Sequence, residues 1–383
     1  MDFKDFLLAE LIEAYHKARV GGKRKTKNEH NFELNELENI TNLRDTIIAR
    51  AYKPHRGVAF IVEDPVRREI FAASFSDRIV HHFLYKYTSE WWEPRFWKGS
   101  YSCRKEKGTL YGAKDLQKHM CYVAKTTGEQ TIIIKRDIRG YFMSLNHQKL
   151  YQRIIWGLNQ QFPSGGELYK TLKYLWKITI FDDPKEDVII RGKRTDWNEL
   201  PPDKSLFTQP KGRGLVIGNL TSQLASNIYL DQLDRYIVHT LKYKHYGRYV
   251  DDFYIVVPKS KLKTVLKDMT KVETYLKSIN LTLHPKKKTE TPAKYGVEFL
   301  GYKVYPDYIL PSKRLRRNFA KTVYKLATTG HGKLESISSY DGHFSHINSH
   351  KYIKKIYGNV GWDYPYPKLK KGGPRGKSKG RNP

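Results

Sequence analysis

The segment 247–257, Gly-Arg-Tyr-Val-Asp-Asp-Phe-Tyr-Ile-Val-Val, constrains this chain more than any other. Two adjacent aspartates, Asp251 and Asp252, are flanked by β-branched and aromatic residues. Arms of that composition read as strands, which places the acids at the bend of a β-hairpin. Two carboxylates side by side at the end of half-buried strands repel, and each is costly to remove from water. Such a pair persists most easily where a divalent cation or a cationic partner supplies the missing positive charge. Taken alone, it fits a solvated turn as well as it fits a metal site.

Charge bears on that choice. The chain has 383 residues, with 70 Lys and Arg against 39 Asp and Glu, a formal net charge of +31. In a folded composition such an excess points to a polyanionic partner, which for a soluble protein usually means nucleic acid. Anionic membrane is the competing partner. No apolar run reaches spanning length, however, and the N-terminus carries no signal-peptide pattern. A cytoplasmic protein without membrane attachment is expected. Cys103 and Cys121 belong to no paired ligand spacing, which argues against disulfide scaffolding and cysteine-based zinc sites.

Apolar residues at helical spacing predict a helix over 2–20, stopped by Gly21-Gly22, and a second over about 34–52. A polar, basic linker at about 23–27 lies between them. Segments 57–62 and 68–74 read as strands joined by a Pro turn, followed by a helix with Asp77 as its N-cap. The β-branched run 131–134 meets charge at Lys135-Arg136-Asp137, so Asp137 also projects from a strand end. Residues 160–214 mix helix with Pro/Gly-rich loops. Within them, the Asp182-Asp183 pair is stopped by Pro184 and reads as a surface turn. From 310 onward the chain reads as helices rich in Lys, Arg, Tyr and His. Residues 368–383 read as a basic tail that adds non-specific phosphate affinity.

Phosphoryl transfer from a nucleotide calls for two cations about 4 Å apart, held by carboxylates at converging strand ends. Asp137 supplies the third acid that the Asp251-Asp252 pair lacks. With it in place, residues 59–305 resemble a reverse transcriptase, motif by motif and in order. Residues 132–142, Ile-Ile-Ile-Lys-Arg-Asp-Ile-Arg-Gly-Tyr-Phe, resemble the first palm motif, and 248–253 the catalytic hairpin. Residues 66–84 resemble the fingers motif and 296–304 the primer-grip hairpin.

The resemblance implies an α/β (α+β) right-hand polymerase. N-terminal helices and fingers would cover 1–130, and an antiparallel-sheet palm 131–303, with a fingers or loop insertion at about 155–213. A helical thumb would cover 304–365 and a disordered basic tail 366–383. By the same resemblance, Asp137, Asp251 and the Ile138 carbonyl are ligands of two Mg²⁺ ions, and Asp252 is a weaker second acid. Arg68 would hold the triphosphate of the incoming dNTP. Phe142 would gate the sugar against a 2′-hydroxyl, the alternative for it being a core aromatic. Phe299, Leu300, Gly301 and Tyr302 would grip the primer. The family's lysine general acid matches either Lys287 or Lys288.

Residues 214–234 narrow the resemblance. Most reverse transcriptases carry Pro-Gln-Gly followed by Ser-Pro here; this chain has Ile217-Gly218 and Ser222-Gln223 instead. That pattern is similar to the reverse transcriptases of diversity-generating retroelements, which copy a template RNA with errors opposite adenine for mutagenic retrohoming. Ile217 lacks the hydrogen-bonding group of the Gln it replaces, so the nascent pair has fewer directional contacts with which to reject wrong geometry. Ile217, Gly218 and Gln223 are therefore expected at the nucleotide. The same resemblance implies a bacterial or phage-encoded enzyme, a template RNA, an RNA/cDNA hybrid and a small, basic, oligomeric helical-bundle accessory protein. Residues 338–353, with His343, His346 and His350, add to it and read as phosphate contacts or helix packing ahead of a metal site. The rival readings are a bacterial antiphage-defence reverse transcriptase and a catalytically inactive RNA-binding protein on a polymerase scaffold.

Overall fold

Apolar spacing in the first segment produces helix α1 (Phe3–Ala18), whose Leu7, Leu11, Ala14, Tyr15 and Ala18 are buried. Asp2 caps it, its carboxylate accepting from the Asp5 N–H at 2.8 Å. The computed structural model describes residues 2–20, 27–63, 66–331 and 334–362. Most of the expected linker and the whole expected tail at 366–383 lie outside the described residues. Helices α2 (Lys27–Glu33) and α3 (Glu36–Ile48) follow. Strands β1 (Gly57–Val62) and β2 (Arg68–Ala72) then pair antiparallel.

Helix α4 (Phe75–Trp92) begins earlier than expected and is capped by Ser74, not by Asp77. Asp77 instead sits in the first turn, where its buried carboxylate accepts from the Tyr52 hydroxyl at 2.7 Å and the His55 N–H at 2.9 Å. Partners 22 and 25 residues away had drawn the acid out of the cap. After α4 come α5 (Thr109–Thr127), β3 (Thr131–Ile138), α6 (Tyr141–Ser144), α7 (His147–Gln161) and α8 (Glu167–Phe181). Strand β4 (Val188–Ile190) pairs parallel with β1, so part of the expected insertion extends the fingers sheet in the order β2-β1-β4.

The second sheet uses β3 with β5 (Tyr246–Tyr249), β6 (Asp252–Pro258) and β7 (Leu283–Pro292), in the order β5-β6-β3-β7 and antiparallel throughout. Helix α9 (Leu220–Arg235) precedes β5, and α10 (Leu262–Ser278) follows β6. Strand alternation sends Ile132, Ile134, Phe253, Ile255 and Val257 into one core with the buried faces of α9 and α10. Ile133, Lys135 and Asp137 fall on the opposite face. All of this lies in one unit, residues 1–293.

Residues 294–383 form the other unit. The sequence reading puts the palm–thumb boundary at 303/304, whereas this division counts the 297–304 hairpin with the C-terminal unit. Strands β8 (Val297–Phe299), β9 (Tyr302–Val304) and β10 (Ile309–Pro311) make a three-stranded sheet in the order β10-β9-β8. Leu300 and Gly301 turn the first hairpin with φ of 54° and 87°, the pattern of a type I′ turn. Helices α11 (Lys313–Thr329), α12 (Leu334–Phe344) and α13 (His350–Gly358) pack around Phe319, Val323, Phe344, Ile353 and Tyr357. His343 meets the Tyr302 hydroxyl at 3.1 Å, a packing partner in its own unit.

Candidate active site

The β5–β6 hairpin turns at Val250-Asp251, since Tyr249 pairs with Asp252 across it. Val250 adopts φ 55°, in the left-handed region. For a β-branched residue that conformation costs about 1–3 kcal/mol and persists only where surroundings enforce it. Arg248 provides part of the enforcement. Its fully buried guanidinium donates to the Val250 carbonyl at 3.0 Å and grips both Asp234 carboxylate oxygens at 2.7 Å each. Tyr246 adds a hydroxyl donor to Asp234 at 2.6 Å.

The register places Asp137 directly opposite Asp252 on β6. One residue on, the Ile138 N–H donates to the Asp251 carbonyl at 3.0 Å, tying the end of β3 to the turn. The three carboxylates are therefore held together by backbone pairing on rigid strands. Burial foremost, and then the charge of Asp137, pushes the Asp251 carboxyl up to about 6. Burial also raises Asp252, against the pull of Lys135.

Two lysines answer this negative charge. Lys287 of β7 reaches Asp137 at 2.9 Å, and Lys135 of β3 reaches Asp252 at 3.1 Å. Burial works against the Lys287 ammonium, but its hydrogen bond to Asp137 and the charges around it hold it above the usual lysine range. Lys288 pairs with Arg136 in the register, on the face turned away from Asp137. Of the two lysines left open by the sequence, Lys287 is the one at the carboxylates.

Among the described residues, no three His, Cys, Asp or Glu side chains form a ready-made metal cage. The donors available here are carboxylate and backbone oxygens. That set suits Mg²⁺, which is held by one or two carboxylates and completes its shell with water and phosphate oxygens. Asp251, half-buried and with no lysine facing it at ion-pair distance among the described residues, is the carboxylate most in need of a cation.

Phe142, Ile217 and Gly218 are connected through one loop. Residues 212–217 run beside the end of the first palm motif. Leu215 donates to the Phe142 carbonyl at 2.8 Å and Gly214 to the Leu145 carbonyl at 2.9 Å. At its far end the Ile217 carbonyl accepts from the Phe71 N–H of β2 at 3.1 Å. Gly218 follows at φ 130°, where a Cβ would stand 2.8 Å from the Phe71 carbonyl oxygen, so both conformation and space call for glycine. The loop thus joins the Phe142 turn to the strand that begins with Arg68. Arg68 is exposed, with its charge acting on the Tyr249 phenol of the hairpin, which burial raises above its ordinary range. Gln223 is exposed on the first turn of α9. Phe299, Leu300, Gly301 and Tyr302 belong to the other unit.

The Arg248–Asp234 pair and the Lys135–Asp252 pair had no place in the sequence reading, which held Lys287 only as one of two candidates for the general acid. Arg248 stands in the quoted motif itself, and a lone arginine amid apolar strand residues is a signal for a buried ionic partner. Nothing local identifies that partner, which comes from α9, 14 positions earlier.

Residues 66–304 match the family model described as reverse transcriptase (RNA-dependent DNA polymerase). The match spans more than half of the chain, and the protein belongs to the reverse transcriptase family. Its enzymes are nucleotidyltransferases. Among solved structures, the chain is similar to telomerase from Candida albicans in complex with the TWJ fragment of telomeric RNA, at 12% identity and a TM-score of 0.48. That alignment covers 82% of this chain and 57% of the other. Apo telomerase from Candida tropicalis is similar at 11% identity and a TM-score of 0.47, covering 80% and 59%. The chain thus spans somewhat over half the length of these telomerases. No curated protein matches it. No helix among the described residues is long and apolar enough to cross a membrane.

Proposed function

We propose that the protein makes error-prone, adenine-mutagenised cDNA from a retroelement template RNA, for sequence diversification of a target gene. Ile217 carries this reading. Its side chain packs with Ala59, Phe71, Met143 and Leu206, and its carbonyl is already engaged by Phe71. The position therefore offers an incoming base pair shape but no directional side-chain contact, and shape alone separates right from wrong pairs weakly.

In this reading Asp137 and Asp251, with the Ile138 carbonyl, hold two Mg²⁺ ions, and Asp252 assists. When bound, such ions neutralise developing phosphate charge and activate the attacking hydroxyl. Arg68 holds the triphosphate of the dNTP from the end of β2. Phe142 lies under the sugar, its backbone fixed by Leu215. Gly218 and Gln223 complete the nucleotide's surroundings. Lys287, 2.9 Å from Asp137, would be placed to donate a proton to the leaving pyrophosphate. Phe299, Leu300, Gly301 and Tyr302 grip the primer. The substrates are dNTPs, template RNA and the RNA/cDNA hybrid, and the partner is a small basic helical-bundle oligomer in a bacterial or phage setting.

Sequencing primer-extension products from an RNA template tests the reading. Wild type should misincorporate mainly opposite template adenine, and Ile217→Gln should lower that error by about tenfold. An unchanged spectrum in Ile217→Gln would rule the loop out as the source. Errors spread evenly over the four template bases would favour an antiphage-defence enzyme.

A further inference from the structure

The surface where α4 ends against α7 carries a group of side chains that the polymerase reading leaves unused. Trp156 on α7 is 44% exposed. Trp91, half-buried near the end of α4, meets it edge-on, with ring centroids 5.7 Å apart at 77°. Trp92 is buried beneath, 5.0 Å from Trp91 and 5.9 Å from Trp156. Helix α7 approaches this closely because residue 157 is glycine: a Cβ there would stand 2.7 Å from Nε1 of Trp92.

Each outer indole also carries a guanidinium. Arg95 lies 4.2 Å from the Trp91 centroid, and Arg153 lies 4.4 Å from that of Trp156. Arg95 is fixed by donating to the Trp91 carbonyl at 2.6 Å, and Arg235 donates to the Arg95 carbonyl at 3.0 Å. The acid that Arg153 and Arg235 share, Asp231, is wholly buried, while the Arg235 side chain remains 45% exposed. The acid of this pair of ion pairs is turned inward, while the Arg235 guanidinium faces outward; Glu90, next to Trp91, is also exposed.

Scattered exposed aromatics are ordinary on a protein surface. Paired indoles with planar cations on their faces are a narrower case. Flat π-surfaces take bases by stacking, guanidinium groups take phosphates, and alternating them matches the repeat of a single strand. An acidic peptide would satisfy the arginines but would leave the indole faces without a matching ring. The net charge of +31 favours the same ligand.

We propose that Trp156, Trp91, Arg95 and Arg235 form a docking platform for a single strand of nucleic acid. A base stacks on Trp156, and flanking phosphates lie on Arg95 and Arg235. The platform shares no residue with the carboxylate site and goes beyond the polymerase reading. It would hold a strand without acting on it.

Fluorescence anisotropy of the full chain with labelled 20-nucleotide oligo(U) and oligo(dT), at fixed salt, tests this. Trp156→Ala should weaken binding of at least one strand by about tenfold, while Trp156→Phe should stay within about threefold of wild type. Loss with oligo(U) alone would assign the platform to RNA, and loss with oligo(dT) alone to the DNA product. Wild-type affinity for both strands in Trp156→Ala would overturn the proposal. So would equal loss in Ala and Phe variants accompanied by a lower melting temperature, which would mark a packing cluster.

Discussion

Lys135 and Asp252 show how single residues set the state of the carboxylate site. They stand 3.1 Å apart, and Lys135 is the main compensation for the hydration Asp252 loses. Asp252 is thereby held by a side chain from the strand that carries Asp137, while Asp251 faces the turn. Replacing Lys135 with Met leaves Asp252 half-buried without its ion-pair partner. Stability should fall by about 1–3 kcal/mol in urea titrations. Adding Asp252→Asn should recover most of that loss, because the two residues are in direct contact and their effects are not additive. A double variant as unstable as the sum of the singles would show that the ion pair is incidental.

At the scale of elements, the hairpin depends on a strained turn and a buried arginine. Arg248 is fully buried with Asp234, so removing one partner strands the other charge away from water. Arg248→Met should destabilise the chain by about 3–5 kcal/mol, read from urea titration, and release the Val250 carbonyl at the bend. A loss below about 1 kcal/mol would mean that the turn holds itself. The hairpin was legible in the sequence because both arms are apolar, β-branched and short, and the break between them carries charge. The same holds for β3, whose four-residue run ends in charge. What escaped was non-local. The cap of α4 passed from Asp77 to Ser74 because Tyr52 and His55 engage the Asp77 carboxylate. The choice between Lys287 and Lys288 required the β3–β7 register, and adjacent strand residues point to opposite faces. A sequence shows that two lysines are available but not which one reaches Asp137.

At the scale of the whole molecule, a mixed α and β scaffold brings Asp137, Asp251 and Asp252 together from segments more than 100 positions apart. It also ties the Phe142 turn to β2 through the loop that ends at Ile217. The order of motifs made the family legible, whereas the division of the chain at 293/294 depends on contacts that no local pattern encodes. The central claim is that this arrangement copies RNA into DNA. The most direct test is primer extension on an RNA template with dNTPs and Mg²⁺, comparing wild type with Asp251→Asn. Wild type should extend the primer, chelation of the divalent ion should abolish extension, and Asp251→Asn should reduce the rate by at least about a thousandfold. No product from wild type, or equal product from Asp251→Asn, would contradict it.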